Sequence, residues 1–246
     1  MPLNAHKLAT QYPDSAFSIG LNIAEGNGRS TWAKGGLADI VVGAYDVNTR
    51  RLAEFFKSID NPVYLRIGYE FDGTWNARYE SSSSYISAYR RIVDVLPGDG
   101  VSNVTFVWQA IASPVDEVIE GRTENIQDSY PGDSYIDWLS LSWFLPPDEV
   151  AKLVKSQGQL SDEVLNLARE KNKLVMIAES APQGYGLKTL TRANSGVLWN
   201  EKAGSGRIEK DADVIWQEWF SPFFEYIRDN HDVIKSAAYI NTDWDV

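Results

Sequence analysis

The stretch PVYLRIGYE, residues 62–70, decides how the rest of the chain is read. It is an apolar run rich in β-branched and aromatic residues that ends on a carboxylate, Glu70. A second run of the same kind, KLVMIAE at 173–179, ends on Glu179. Short apolar runs of this composition, bounded by polar or turn residues, suit strands buried in a parallel sheet. Two of them delivering a Glu at the carboxyl end point to a site built from paired carboxylates.

Working outward, similar runs recur: FSIGLNI at 17–23, ADIVVGA at 38–44, VTFVWQA at 104–110, DWLSLSW at 137–143 and SAAYINT at 236–242. Between them lie helical patterns. DVNTRRLAEFFKSI places Leu52, Phe55, Phe56 and Ile59 on one face behind Asp46 as an N-cap. SYISAYRRIVDVL and SDEVLNLAREKN repeat the pattern, and VIWQEWFSPFFEYIRDN carries Pro222 where a helix is interrupted or kinked. Alternating strands and helices imply right-handed βαβ units. The expected fold is α/β, a (β/α)8 TIM barrel formed as a single domain over residues 1–246. Seven runs are visible and residues 1–16 offer no strand, so the barrel is expected to be incomplete or irregular at its first strand.

In such a barrel the carboxyl ends of the strands carry the active site, while the rest of each strand packs. Glycoside hydrolysis needs two carboxyl groups, one to protonate the departing oxygen and one to attack the anomeric carbon or activate water against it. Glu70 and Glu179 are the catalytic candidates. Taken singly, either more readily closes a structural ion pair at a strand end, and it is the pairing and its flanks that favour chemistry. The polar, glycine-rich interval 181–210 follows Glu179 directly, where a barrel places a substrate-covering loop; a disordered insertion is the alternative.

Composition narrows the chemistry. The 246 residues contain no cysteine, which excludes disulfides, thiolate zinc sites and cysteine nucleophiles. Only two histidines are present, His6 and His231, leaving few bases for a serine triad. Lys and Arg total 23 against 34 Asp and Glu, and a net charge of −11 repels a polyphosphate backbone. Nucleic acid is therefore not an expected partner. No run approaches the roughly 20 apolar residues that cross a bilayer, and MPLNAHKLATQYPDS lacks the apolar stretch of a secretory signal. A monomer without membrane association is expected. No cofactor is needed and no metal is expected, since Asp128, Asp133 and Asp137 lack calcium-loop spacing; YPGD reads as a turn in which Asp133 bonds locally.

PVYLRIGYEFDGTWN resembles the acid/base motif of glycoside hydrolase family 26, a family of retaining barrel enzymes that includes β-mannanases. YPGDSYIDWLSLSWF at 130–144 and KLVMIAES are similar to two further stretches of that family. The resemblance implies that Glu70 is the general acid/base and Glu179 the nucleophile, with Arg66 beneath them favouring ionised carboxylate. Three departures stand out. Tyr69 occupies the place where the family usually has His; Phe144 replaces a phenol expected to hydrogen-bond the nucleophile; and the first strand is missing.

Aromatic residues at strand-to-loop positions are candidate platforms for sugar rings: Trp75 and Trp244 first, then Trp143 and Trp108. Tyr69, Asn241, Asp72 and Gln109 are candidate hydrogen-bonding partners of sugar hydroxyls. Trp138, Trp216, Trp219 and Tyr89 read as core. The resemblance implies a retaining, endo-acting hydrolase of an internal β-linkage in a polysaccharide, with β-1,4-mannan ahead of β-1,3-xylan and β-glucan, acting outside the cell or in the periplasm. The competing expectation is a non-catalytic carbohydrate-binding barrel.

Overall fold

The structure is a computed structural model that describes residues 5–23, 36–73, 79, 81–98, 100–114, 125–147, 155–193 and 207–241. Six strands form one sheet: β1 (Phe17–Leu21), β2 (Val63–Ile67), β3 (Val104–Ala110), β4 (Trp138–Trp143), β5 (Leu174–Ser180) and, after three short strands, β9 (Ile234–Ala237), in that order across the sheet. The β1–β2, β2–β3 and β5–β9 ladders are parallel. Helices occupy the connections: α1 (Ala5–Gln11), α2 (Gly36–Val41), α3 (Asp46–Lys57), α4 (Ser82–Gly98) and α5 (Gln157–Lys171). The α/β reading holds, with six main-sheet strands among the described residues against the eight of a closed barrel.

ADIVVGA is not a strand. Residues 36–41 form α2, which buries Leu37 and Ile40, three apart as a helix requires. Residues 1–16 contribute α1 over 5–11. The chain divides into two compact units, the first holding β1, β2 and α1 to α4, the second holding β5, α5 and everything after it.

In the first unit, β2 buries Val63, Leu65 and Ile67 completely while Tyr64 and Arg66 stay half-buried, so the strand presents two different faces. Two asparagines staple the amino ends of the strands. The Asn61 amide donates to the carbonyls of Tyr12, Pro13 and Ser15, and the Asn103 amide to those of Phe56, Ile59 and Asn61. They give hydrogen-bond donors to carbonyls in the segments that lead into β1 and β2, and two of these carbonyls, Tyr12 and Phe56, also accept a backbone amide. Asp46 is not the N-cap of α3; Tyr45 holds that position, and the Asp46 carboxylate instead receives Arg91 of α4. The hydrogen bond from Arg91 holds this carboxyl below its ordinary range.

In the second unit, α5 starts earlier than its acidic residues suggest, because Ser156 and Gln159 form a reciprocal capping box. The helical stretch before β9 has three parts: α6 (Ala212–Ile215), a π-helical segment Trp216–Phe220, and α7 (Ser221–Asp229) with Pro222 in its first turn. Proline lacks an N–H and its ring crowds the carbonyl four residues back, so the turn before it widens. Trp219 and Tyr89 are core as expected, and Trp138 is half-buried against Tyr64. Trp216 is a correction: it is 48% exposed, stacked on Phe220 along the outer side of the widened turn. The interval after Glu179 holds a small antiparallel sheet, β6 (Tyr185–Gly186), β7 (Thr191–Ala193) and β8 (Arg207–Glu209).

Candidate active site

Glu70 sits three residues beyond β2, buried to 4% exposure. The chain reaches it through two left-handed residues, Gly68 at φ 55° and Glu70 itself at φ 52°. A non-glycine residue there stores on the order of 1–2 kcal/mol of strain, which the surroundings must hold. They do so with aromatic rings. Tyr85 of α4 donates its hydroxyl to the carbonyls of Ile67 and Gly68, and Phe71 stacks on Trp108 at 4.7 Å. Gly68 is required twice over, since a Cβ on it would lie 2.7 Å from the Tyr85 ring.

Beside this turn, Arg66 donates to the Gln109 side chain at 2.8 Å and lies over the Tyr69 ring, 5.5 Å from its centre. Gly20 on the neighbouring strand leaves the space this ring fills: a Cβ there would meet Tyr69 at 3.0 Å and Arg66 at 3.4 Å. Arg66, Tyr69, Glu70 and Gln109 are thus gathered in the first unit. Gln109 departs from expectation because it is fully buried, and its amide oxygen serves Arg66 rather than an open surface. Trp108 is likewise fully buried, between Phe71 and the edge of Tyr130.

Glu179 lies in the second unit as the penultimate residue of β5, half-buried where its four preceding neighbours are fully buried. The exit of the strand is pinned by ordinary hydrogen bonds: Ser180 Oγ to the Ala238 carbonyl, the Ala181 amide to Trp143 and the Gln183 amide to Phe144. Asp72 uses one carboxylate oxygen to accept the Ile111 amide at 2.7 Å, which fixes the loop after β3. Trp143 is not a platform. It has no exposed surface and packs its ring 4.7 Å from Tyr226 of α7, because alternation along β4 turns this position toward the helices. Phe144 is buried with Ile111 and Ala181, and the partly buried Ile240 packs against them. Asn241 is exposed at the end of the described chain. Trp75 and Trp244 lie outside the described residues.

The small sheet after Glu179 is clamped by Glu218 of the π-helical segment, which accepts from Lys210 at 2.6 Å and from Tyr185 at 2.9 Å, with Arg192 at 4.0 Å. Burial alone would raise this carboxyl, but those hydrogen bonds and cations outweigh it and hold it below its usual value. Sequence reading missed this clamp, whose partners are dispersed over 33 residues. It also missed Gly20, although a glycine inside a strand signals close approach. In the YPGD turn, Tyr130 donates to Asp133 at 2.9 Å, as the local-bonding expectation requires. Among the described residues no group of three or more His, Cys, Asp or Glu could hold a metal ion, and no helix is long and apolar enough to cross a membrane.

A sheet of parallel ladders that delivers carboxylates at strand ends is the framework of the barrel-type glycoside hydrolases. The sequence model of Glycosyl hydrolase family 26 matches residues 38–201, and the chain belongs to that family. It is 32% identical to a β-1,3-xylanase from an Alcaligenes species and 33% identical to one from a Vibrio species, each over 98% of this chain and 46% of the relative. The chain thus spans about half the length of these curated relatives. Among solved structures, the catalytic domain of a Bacillus sp. JAMB-750 endo-β-1,4-mannanase superposes with a TM-score of 0.64 at 16% identity, covering 98% of this chain and 60% of that one. The Bacillus subtilis mannanase gives 0.61 at 15% identity, covering 98% and 64%.

Proposed function

We propose that this chain carries the catalytic machinery of a retaining, endo-acting glycoside hydrolase, with Glu179 as nucleophile and Glu70 as general acid/base. The observation that carries this reading is Glu70, a carboxylate almost fully buried and held at a strained φ just past a parallel strand. Strain of that kind persists where a side chain must be aimed.

In the first step the Glu179 carboxylate attacks the anomeric carbon while the Glu70 carboxyl gives its proton to the departing glycosidic oxygen. In the second, Glu70 takes a proton from water, the resulting hydroxide equivalent attacks the same carbon, and Glu179 leaves as carboxylate. Arg66 and Tyr69 flank the acid/base turn and orient the sugar there.

For the substrate, the curated relatives at 32–33% identity are named β-1,3-xylanases, whereas the mannanase structures at 15–16% support the fold alone. We therefore place β-1,3-xylan first, β-1,4-mannan second and β-glucan third. Tyr69, standing where the family usually has His, supports a departure from mannan. Substrates of this size lie outside the cell membrane, which favours a secreted or periplasmic protein.

Incubating the protein with oligosaccharides of the three polymers, alongside Glu70→Gln and Glu179→Gln, tests the reading. Internal cleavage is expected, with the β-anomer released first when followed by NMR. Initial release of the α-anomer overturns retention. Sugar binding with no turnover in any form replaces the enzyme by a carbohydrate-binding barrel.

A further inference from the structure

Two tyrosines of the first unit bury a hydroxyl that has no hydrogen-bond partner among the described residues, Tyr79 and Tyr89. A buried, unpaired hydroxyl is unfavourable by about 1–3 kcal/mol and calls for a reason. The two differ in their surroundings. Tyr89 is fully buried in α4, and the acidic groups that act on it are Asp137 and Tyr130. Tyr79 lies edge-on to Tyr85, ring centres 5.2 Å apart, and Tyr85 is the residue whose hydroxyl pins the turn carrying Glu70. The groups whose charges act on Tyr79 are Tyr69 and Glu70. Arg66 is the cation over the Tyr69 ring.

We infer that Tyr79 is a positioning residue for Glu70, its hydroxyl a donor kept in reserve for the ionised state of that carboxylate. The inference rests on the acid/base role proposed above. When Glu70 has given its proton to the leaving oxygen it becomes a charged acceptor in a buried place, and a hydrogen bond to a charged group is stronger than one to a neutral group. Tyr79 packs on Tyr85, whose hydroxyl pins the turn that carries Glu70; a movement of either side chain brings the phenol to the carboxylate, and the bond is withdrawn again when Glu70 recovers a proton from water. Tyr79 keeps its own proton throughout. Burial first, then the nearby Tyr69 and Glu70, push the phenol well above its ordinary range, so it remains a donor at any working pH.

The test is the titration of Glu70, followed by NMR of 13C-labelled glutamate carboxyls, in the wild type, Tyr79→Phe and Tyr89→Phe, together with kcat/KM against pH on whichever oligosaccharide is cleaved. Loss of a donor to the ionised form makes Glu70 hold its proton to higher pH. Tyr79→Phe is expected to move the Glu70 titration and the alkaline limb of kcat/KM up by about one pH unit. Tyr89→Phe, which loses an equally buried hydroxyl, moves neither. Fluorotyrosine at position 79, a stronger donor of nearly the same shape, moves both downward. A Glu70 titration unchanged in Tyr79→Phe, or shifted equally in Tyr89→Phe, overturns the inference while leaving the hydrolase reading intact. Absence of turnover in the wild type overturns the hydrolase reading, and the NMR titration still decides whether Tyr79 and Glu70 are partners.

Discussion

The two candidate catalytic carboxylates are held in opposite ways. Glu70 lies past the end of β2 on a left-handed turn, fixed by aromatic rings and by the Tyr85 hydroxyl. Glu179 is still within β5, in regular extended backbone, and the segment after it is tied down by polar groups around Glu218. The first arrangement stores strain in a turn held by aromatic rings and a tyrosine hydroxyl; the second relies on ladder hydrogen bonds and ion pairs. In the proposed mechanism, an acid/base must be protonated in one step and ionised in the next, so its surroundings matter as much as its position. A nucleophile needs chiefly to be aimed.

The largest effect that would sharpen this contrast is catalytic. Glu179→Gln is expected to abolish turnover on every substrate, whereas Glu70→Gln lowers it by about 10²–10⁴-fold on oligosaccharides and far less on an aryl glycoside whose leaving group needs no proton. Equal losses on both substrates would erase the distinction between the two residues. Next comes the packing of β4 in the second unit. Trp143→Ala is expected to destabilise by about 3–5 kcal/mol in urea unfolding; raised KM at unchanged stability would return Trp143 to the substrate.

Gly68→Ala breaks the first region specifically. It forces a Cβ into the Tyr85 ring at a left-handed backbone position, and a loss of about 2–3 kcal/mol is expected, measured by the same unfolding. The smallest effect belongs to the polar clamp. Glu218→Gln is expected to lower stability at neutral pH by about 1 kcal/mol. Because the folded carboxyl is held below its unfolded value of about 4.3, its contribution is present above that pH and fades as pH falls through the lower folded value. The difference between wild type and variant should therefore shrink in acid; a difference that grows there would mean the ion pairs are not what holds the small sheet.

Much of this arrangement was legible in the residues. Apolar runs located five strands of the main sheet and caught only the end of the sixth, since the run SAAYINT covers 236–242 whereas β9 spans Ile234–Ala237. Helical spacing located α3, α4 and α5, because long periodic patterns report burial directly. ADIVVGA misled because six or seven apolar residues cannot distinguish a strand from a short buried helix by periodicity alone. β6, β7 and β8 were invisible for a related reason: two or three residues are too few to show alternation. Within the site, the motif around Glu70 placed Arg66 and Tyr69, but whether Trp143 points to the helices or elsewhere depends on a one-residue phase along β4. Tyr79 carried no sequence signal at all, since its interest lies in what its hydroxyl lacks.

The asparagine staples carry a consequence for the evolution of this scaffold. Asn61 and Asn103 anchor β2 and β3 at the ends remote from Glu70, through contacts that involve none of the residues proposed to meet substrate. Loops at the opposite ends can then be exchanged or lengthened while the strands stay anchored. A lineage with its footing secured in this way is free to try new sugars, and engineers grafting loops onto the chain should leave these two amides untouched.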